Sequence, residues 1–143
     1  MYYYNGDRMM GDYYNDKPIG KHVILTRNGQ VVNGKKEGKG IYYLNDGDRY
    51  EGDYKNDKKE GKGIYYWNDG DRYEGDFKND KREGKGIFYY NKEPWKGDRY
   101  EGDFKNGKIE GKGIYYYNDG DREMGDYKDG KEIGKHVILT KNG

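Results

Sequence analysis

The stretch Asp48–Tyr66, DRYEGDYKNDKKEGKGIYY, decides the fold, because close copies of it return at residues 71–89 and 98–116. A fixed period settles architecture before any single residue does. In Tyr50-Glu51-Gly52-Asp53-Tyr54 the rings and the glycine fall on one side of an extended chain and the acids on the other, the period of two that marks a strand. Gly61-Lys62-Gly63-Ile64-Tyr65-Tyr66-Trp67 is rich in β-branched and aromatic residues, and Asn68-Asp69-Gly70-Asp71 beyond it signals a tight turn. Links this short cannot cross over a sheet, so successive strands are expected to pair antiparallel in one meander.

The glycines measure the repeat. Gly52 and Gly61, Gly75 and Gly84, and Gly102 and Gly111 are each nine residues apart, and the same spacing recurs at Gly11/Gly20, Gly29/Gly38 and Gly125/Gly134. About six units result, at approximately 5–22, 27–45, 48–68, 71–91, 98–118 and 121–143, in a single array over 1–143. The text between units varies in length, the longest link carrying NKEPWKG at residues 91–97. Constant spacing implies elements held by contacts, and variable spacing implies surface turns. Glycine weakens a strand unless the backbone must bend or accept a neighbour. Gly52, Gly61, Gly63, Gly75, Gly84, Gly86, Gly102, Gly111 and Gly113 are therefore expected to be structural, with a tyrosine or phenylalanine of one hairpin lying over the bare glycine of the next. No hairpin buries its own apolar face, so stability should come from nearest neighbours.

Composition narrows the function. Of 143 residues 38% are charged and 31% hydrophobic, yet 28 basic residues balance 27 acids, and 19 tyrosines, two tryptophans and three phenylalanines supply the apolar surface. Balanced, interleaved charge lacks the one-sided basic field that nucleic acid binding uses, so no nucleic acid partner is expected. Without cysteine there is neither disulfide nor thiolate zinc, and with no signal-peptide pattern at the N-terminus an intracellular, cytoplasmic protein is the expectation.

The pattern YEGDYKNDKKEGKG, with its 23-residue step from Tyr50 to Tyr73, resembles the MORN repeat (membrane occupation and recognition nexus), whose consensus is close to YxGxWxxGxxxGxG. The likeness is specific for the units starting at Tyr50, Tyr73 and Tyr100 and looser in the flanks, where Met9 and Glu123 take the tyrosine slot. It implies an all-β fold, an elongated, twisted, single antiparallel sheet of tandem β-hairpins, with an aromatic-lined groove, no catalytic activity and scaffold roles in cytoskeletal or membrane-associated settings. In the family's tryptophan slot stand Tyr54, Phe77 and Phe104. GKHVILTRNG at 20–29 returns as GKHVILTKNG at 134–143, and the stretch from Gly6 is repeated from Gly120, so the text reads as an excerpt or redesign of a longer array.

On these grounds the expected partner is a protein segment, a peptide or helix, held in a groove lined by Tyr50, Tyr54, Tyr73, Phe77, Tyr100 and Phe104, with the opposing expectation that the same rings are wholly core. Lys62, Lys85 and Lys112 should face away from the rings and pair with acids on adjacent strands. The lysine-rich hairpin tips KNDKKEGK and KNDKREGK suggest anionic phospholipid as the alternative partner, and exposed terminal strands suggest self-association. A choline-binding type of repeat is disfavoured by the scarcity of tryptophan. No catalytic, cofactor or metal residues are expected: His22 and His136 read as structural variants of the second glycine, the acids of NDGDRYEGD fit no calcium loop, GKG lacks the phosphate-loop spacing, and Thr26 and Thr140 have no base beside them.

Overall fold

The computed structural model describes residues 2–4, 7–14, 17–25, 38–43 and 47–142, with side chains for 38–42 and 47–142. All its regular structure is β. In chain order the strands are β1 (Tyr2–Tyr4), β2 (Asp7–Tyr14), β3 (Lys17–Leu25), β4 (Gly38–Tyr43), β5 (Arg49–Lys55), β6 (Lys58–Tyr66), β7 (Arg72–Lys78), β8 (Lys81–Tyr89), β9 (Arg99–Lys105), β10 (Lys108–Tyr116), β11 (Arg122–Lys128) and β12 (Lys131–Leu139). β1–β3 form one ladder and β4–β12 an open nine-stranded antiparallel sheet in which every strand pairs with its sequence neighbours. The unit expected at 27–45 falls largely outside the described residues.

Two turn types alternate along the edges. At one edge the two central residues of each turn have positive φ, as in Asn56 (49°) and Asp57 (65°), the left-handed pair whose twist suits a two-residue hairpin. At the other edge Trp67 and Asp71 close a three-residue loop, Trp67 N–H donating to the Asp71 carbonyl at 3.0 Å, with Gly70 at φ 97°. Six of the described turns are fastened to the preceding repeat. Asp48 accepts from Asn68 N–H at 2.8 Å, Asp71 from Asn91 N–H at 2.7 Å, and Asp98 from Asn118 N–H at 2.8 Å. At the opposite edge Glu60 accepts from Asn79 N–H, Glu83 from Asn106 N–H and Glu110 from Asp129 N–H, at 2.9–3.1 Å. These carboxylates are turn caps that also join repeats.

The second feature is a row of glycines in register. Gly40, Gly52, Gly63, Gly75, Gly86, Gly102, Gly113 and Gly125 stand opposite one another across eight successive strands. Tyr50 lies back over Gly52 of its own strand and Gly63 of the next: a Cβ on Gly63 would come within 2.4 Å of the Tyr50 hydroxyl oxygen. Tyr73 covers Gly75 and Gly86, and Tyr100 covers Gly102 and Gly113, in the same way. The tyrosine therefore covers glycines of its own hairpin, where the sequence suggested those of the next one. Between hairpins the contact is ring on ring, edge to face: Tyr50–Phe77 at 5.2 Å, Tyr73–Phe104 at 5.0 Å and Tyr100–Tyr127 at 5.3 Å. Such pairs contribute about 0.5–1.5 kcal/mol beyond the area they bury.

Candidate functional site

Strands β5–β11 give one side to the rings and the other to solvent. On the ring face Tyr50, Tyr54, Tyr73, Phe77, Tyr100 and Phe104 are only 0–5% exposed. The tyrosine hydroxyls of the first slot are also used internally, donating to the backbone carbonyls of Asp53 (3.0 Å), Asp76 (2.8 Å) and Asp103 (3.3 Å). Burial pushes these phenols well above the ordinary tyrosine value. The six residues expected to line a groove are thus the core, and they offer a guest no open surface. The physical reason is local: Tyr50, Tyr73 and Tyr100, each beside a bare glycine, fold across it, and Tyr54, Phe77 and Phe104 pack edge-on against them to fill that side of the sheet.

Half-buried rings flank this core. Tyr65, Trp67, Phe88, Tyr90, Tyr115 and Tyr117 form a continuous ribbon with centroid spacings of 4.6–5.8 Å. Lys59 and Arg82 reach into the same face. The Lys59 ammonium stands 5.7 Å from the Tyr50 ring and 5.4 Å from Tyr65, and the Arg82 guanidinium lies 5.4–5.7 Å from Trp67, Tyr73, Phe88 and Phe104.

The hollow is on the other face. Between two rows of outward side chains a trough of about 640 Å³ opens, its floor made of Gly63, Gly75, Gly86 and Gly102 backbone. A neighbouring hollow of about 590 Å³ shares Lys85, Glu101 and Gly102 with it and continues to Gly113 and Gly125. One wall is a cross-strand line that alternates Glu51, Ile64, Glu74, Ile87, Glu101 and Ile114 before ending at Met124. The other wall pairs Lys62 with Asp76, Nζ to Oδ1 at 2.5 Å, and Lys85 with Asp103. Lys62 and Lys85 therefore sit opposite the rings as the alternation predicts, and their partners are the aspartates of the following repeat. Outside the Glu–Ile wall, Arg49, Arg72 and Arg99 stack on Tyr66, Tyr89 and Tyr116 at 4.0–4.2 Å.

This geometry is that of a repeat platform, and comparison with family profiles matches the MORN repeat at residues 28–49, 50–72, 73–92 and 100–122, more than half of the chain. The chain belongs to the MORN-repeat family. No curated protein matches it. MORN arrays are repeat scaffolds for protein or membrane binding and are not themselves a catalytic type. In this one, the repeated text builds the ring core, the glycine-floored trough and the capped turns together.

The last hairpin departs from the rest. Glu123 occupies the tyrosine slot and His136 the second-glycine slot, and the imidazole takes over the covering role: a Cβ on Gly125 would meet His136 Cδ2 at 2.4 Å. His136 is thus the structural variant the sequence suggested, but the exchange is reciprocal, the bulky group having moved to the partner strand. Sequence spacing did not reveal that Glu123, Glu132 and His136 converge, with their ligand-type atoms all within 4.8 Å of one another. The signal was present as a paired loss of Tyr and Gly in one unit. His22 and Thr26 have no described side chains, and Thr140 lies just past β12 with no acid–base partner among the described hydrogen bonds.

Proposed function

We propose that this MORN array is a non-enzymatic scaffold that holds a protein segment along the glycine-floored trough. The observation that carries the reading is the alternation of Ile64, Ile87 and Ile114 with Glu51, Glu74 and Glu101 along one wall, facing the Lys–Asp pairs of the other. Apolar anchors recurring every second strand, about 9.6 Å apart, match an extended segment with an apolar residue at roughly every third position, at about 3.3 Å per residue. A helical guest would need anchors six or seven residues apart at 1.5 Å per residue. The flanking carboxylates and ammonium groups set orientation and exclude poorly matched charge. Replacing Ile87 with Asp places a charge at the centre of the trough without touching the ring core. Affinity capture with this variant should lose partners that the parent protein retains, while the β spectrum stays the same. Retention of the same partners would sink the trough reading.

A second reading rests on the turn edge. Lys55 faces Lys58, Lys78 faces Lys81, Lys105 faces Lys108 and Lys128 faces Lys131, all exposed, across four successive turns. Like charges directly opposite each other destabilise a hairpin, so four such pairs along one edge favour an anionic phospholipid surface as partner. Sedimentation with phosphatidylserine vesicles at physiological salt separates the two readings. Binding lost on changing Lys78 and Lys81 to Glu supports the membrane, and no binding leaves the trough as the working surface.

A further inference from the structure

We propose that Glu123, Glu132 and His136 form a site for one borderline first-row divalent cation of the Zn²⁺ class, which clamps edge strand β12 onto β11. The three positions are equivalent to ones that serve another purpose in the central repeats. In the first two they hold a tyrosine, an inward-facing cation and a glycine, Tyr50, Lys59 and Gly63 or Tyr73, Arg82 and Gly86, and in the third Tyr100, Ile109 and Gly113. The protein supplies the positive charge itself, with the Lys59 ammonium and the Arg82 guanidinium each 5.7 Å from the ring beside it. In the last hairpin the slot of Lys59, Arg82 and Ile109 holds Glu132 and that of the tyrosine holds Glu123, so two carboxylates meet where two of the central hairpins place a cation. The described ion pairs give neither carboxylate a lysine or an arginine; the one they record is between Glu123 and His136.

The imidazole is set as a ligand. Its Nε2 lies 2.9 Å from the carbonyl oxygen of Asp126, which can only accept, so Nε2 carries the hydrogen. In the neutral imidazole Nδ1 is then a bare lone pair. It is buried without a hydrogen-bond partner, its side chain is 8% exposed, and it faces Glu123 Oε1 at 3.1 Å. A lone pair against a carboxylate oxygen is repulsive unless a cation lies between or beside them. Two ligands at about 2.0–2.1 Å from a tetrahedral ion stand about 3.3 Å apart, close to the separation seen here. The outer contacts have the form that fixes metal ligands: the backbone carbonyl holds the far side of the imidazole, and Tyr117 donates to the other oxygen of Glu123 at 2.6 Å. Glu132, the exposed member, closes the set by rotating its side chain.

The bulge makes the convergence possible. Met124 pairs with Val137 and Asp126 with Ile133, so residues 134–136 all stand opposite Gly125, and the strand doubles up at Gly134, φ +69°. Glu132 and His136, which would be about 13 Å apart on a regular strand, come side by side. One imidazole nitrogen with carboxylate oxygens selects a borderline ion over calcium. The N-terminal copy of this hairpin has His22 at the histidine position but Met9 and Pro18 at the positions of the two glutamates, so one ion per chain is expected.

The test uses the full chain, stripped with chelator and titrated with ZnCl₂ by calorimetry, with Co²⁺ absorption as a second readout. One equivalent should bind, Glu132→Gln should weaken binding at least tenfold, and Zn²⁺ should raise the melting temperature of the parent and not of that variant. Because Glu132 is exposed, the variant remains folded even if His136→Gln does not. Absence of stoichiometric uptake overturns the site, as does uptake unaffected by both Glu132→Gln and Glu123→Gln. So does an imidazole ¹⁵N spectrum in which Nδ1 keeps a proton in the presence of Zn²⁺, since a proton would then be the cation the pocket holds.

Discussion

The hairpins β9–β10 and β11–β12 share their outer register, with a bulge opposite Asp103 in the first and Gly125 in the second, yet they fill the same space with opposite chemistry. In the first, Tyr100 rises from β9 and covers Gly113 of β10; in the second, His136 rises from β12 and covers Gly125 of β11, with Glu123 where the tyrosine would be. The comparison teaches that the repeat requires one planar group over one bare glycine, and that either strand can supply it. What changes is the electrical character. The central version is a neutral ring in a ring core, and the terminal version is a buried carboxylate beside an imidazole, with Glu123 7% exposed.

The largest effect should come from emptying the central version. Tyr100→Ala removes a fully buried ring that touches Phe104 and Tyr127, and should cost about 3–5 kcal/mol by denaturant unfolding. A loss below 1 kcal/mol would show that the rings are not the core. Alkaline pH probes the same rings without mutation. Burial, followed by the charges of Glu123 and Glu132, pushes the Tyr127 phenol up to about 12, and burial raises Tyr50, Tyr73 and Tyr100 further. A folded value above the unfolded one means the protonated phenol is favoured by folding. That stability is complete below about pH 10, the unfolded value, and is lost as pH rises towards the folded value. Unfolding monitored with phenolate absorbance should therefore be cooperative above pH 10, and smooth titration of all tyrosines at pH 10 with the fold intact would contradict the burial.

Exchanging the two chemistries sharpens the comparison. Glu123→Tyr alone sets a ring against His136 and should cost about 1–3 kcal/mol through overpacking. Adding His136→Gly restores the central pattern, and in chelator the double variant should be neutral or about 1–4 kcal/mol more stable than the parent, because a buried carboxylate facing an imidazole nitrogen gives way to an apolar contact. Additive single effects in the double-mutant cycle would mean that the two slots do not share one space. The smallest effect belongs to the trough wall. Lys62→Ala removes an exposed pair with Asp76 and should shift stability by no more than a few tenths of a kcal/mol, an amount that salt abolishes.

Much of this was legible in the text. Alternation in Tyr50–Tyr54 gave the strand and its two faces, the glycine interval gave the repeat, and the outward position of Lys62 and Lys85 followed from both. The turn caps were readable in principle, since an aspartate precedes the arginine that opens each repeat strand and a glutamate precedes each Gly-Lys-Gly run, but their partners lie 19–23 residues away across a neighbouring hairpin. The groove was assigned to the ring face because aromatic rows resemble binding surfaces. Nothing in the order of residues says whether Tyr50 stands up from the sheet or lies down across Gly52 and Gly63.

The sequence by itself determined the antiparallel hairpin array and the side of each strand on which every residue falls, because period-two alternation and short turns admit few other pairings. Only the tertiary structure decided which face is full and which is hollow, and that Glu123, Glu132 and His136 meet. Both depend on how a side chain fills the space left by a glycine on another strand, and on a bulge that brings distant positions together; such contacts exist only once neighbouring strands have docked.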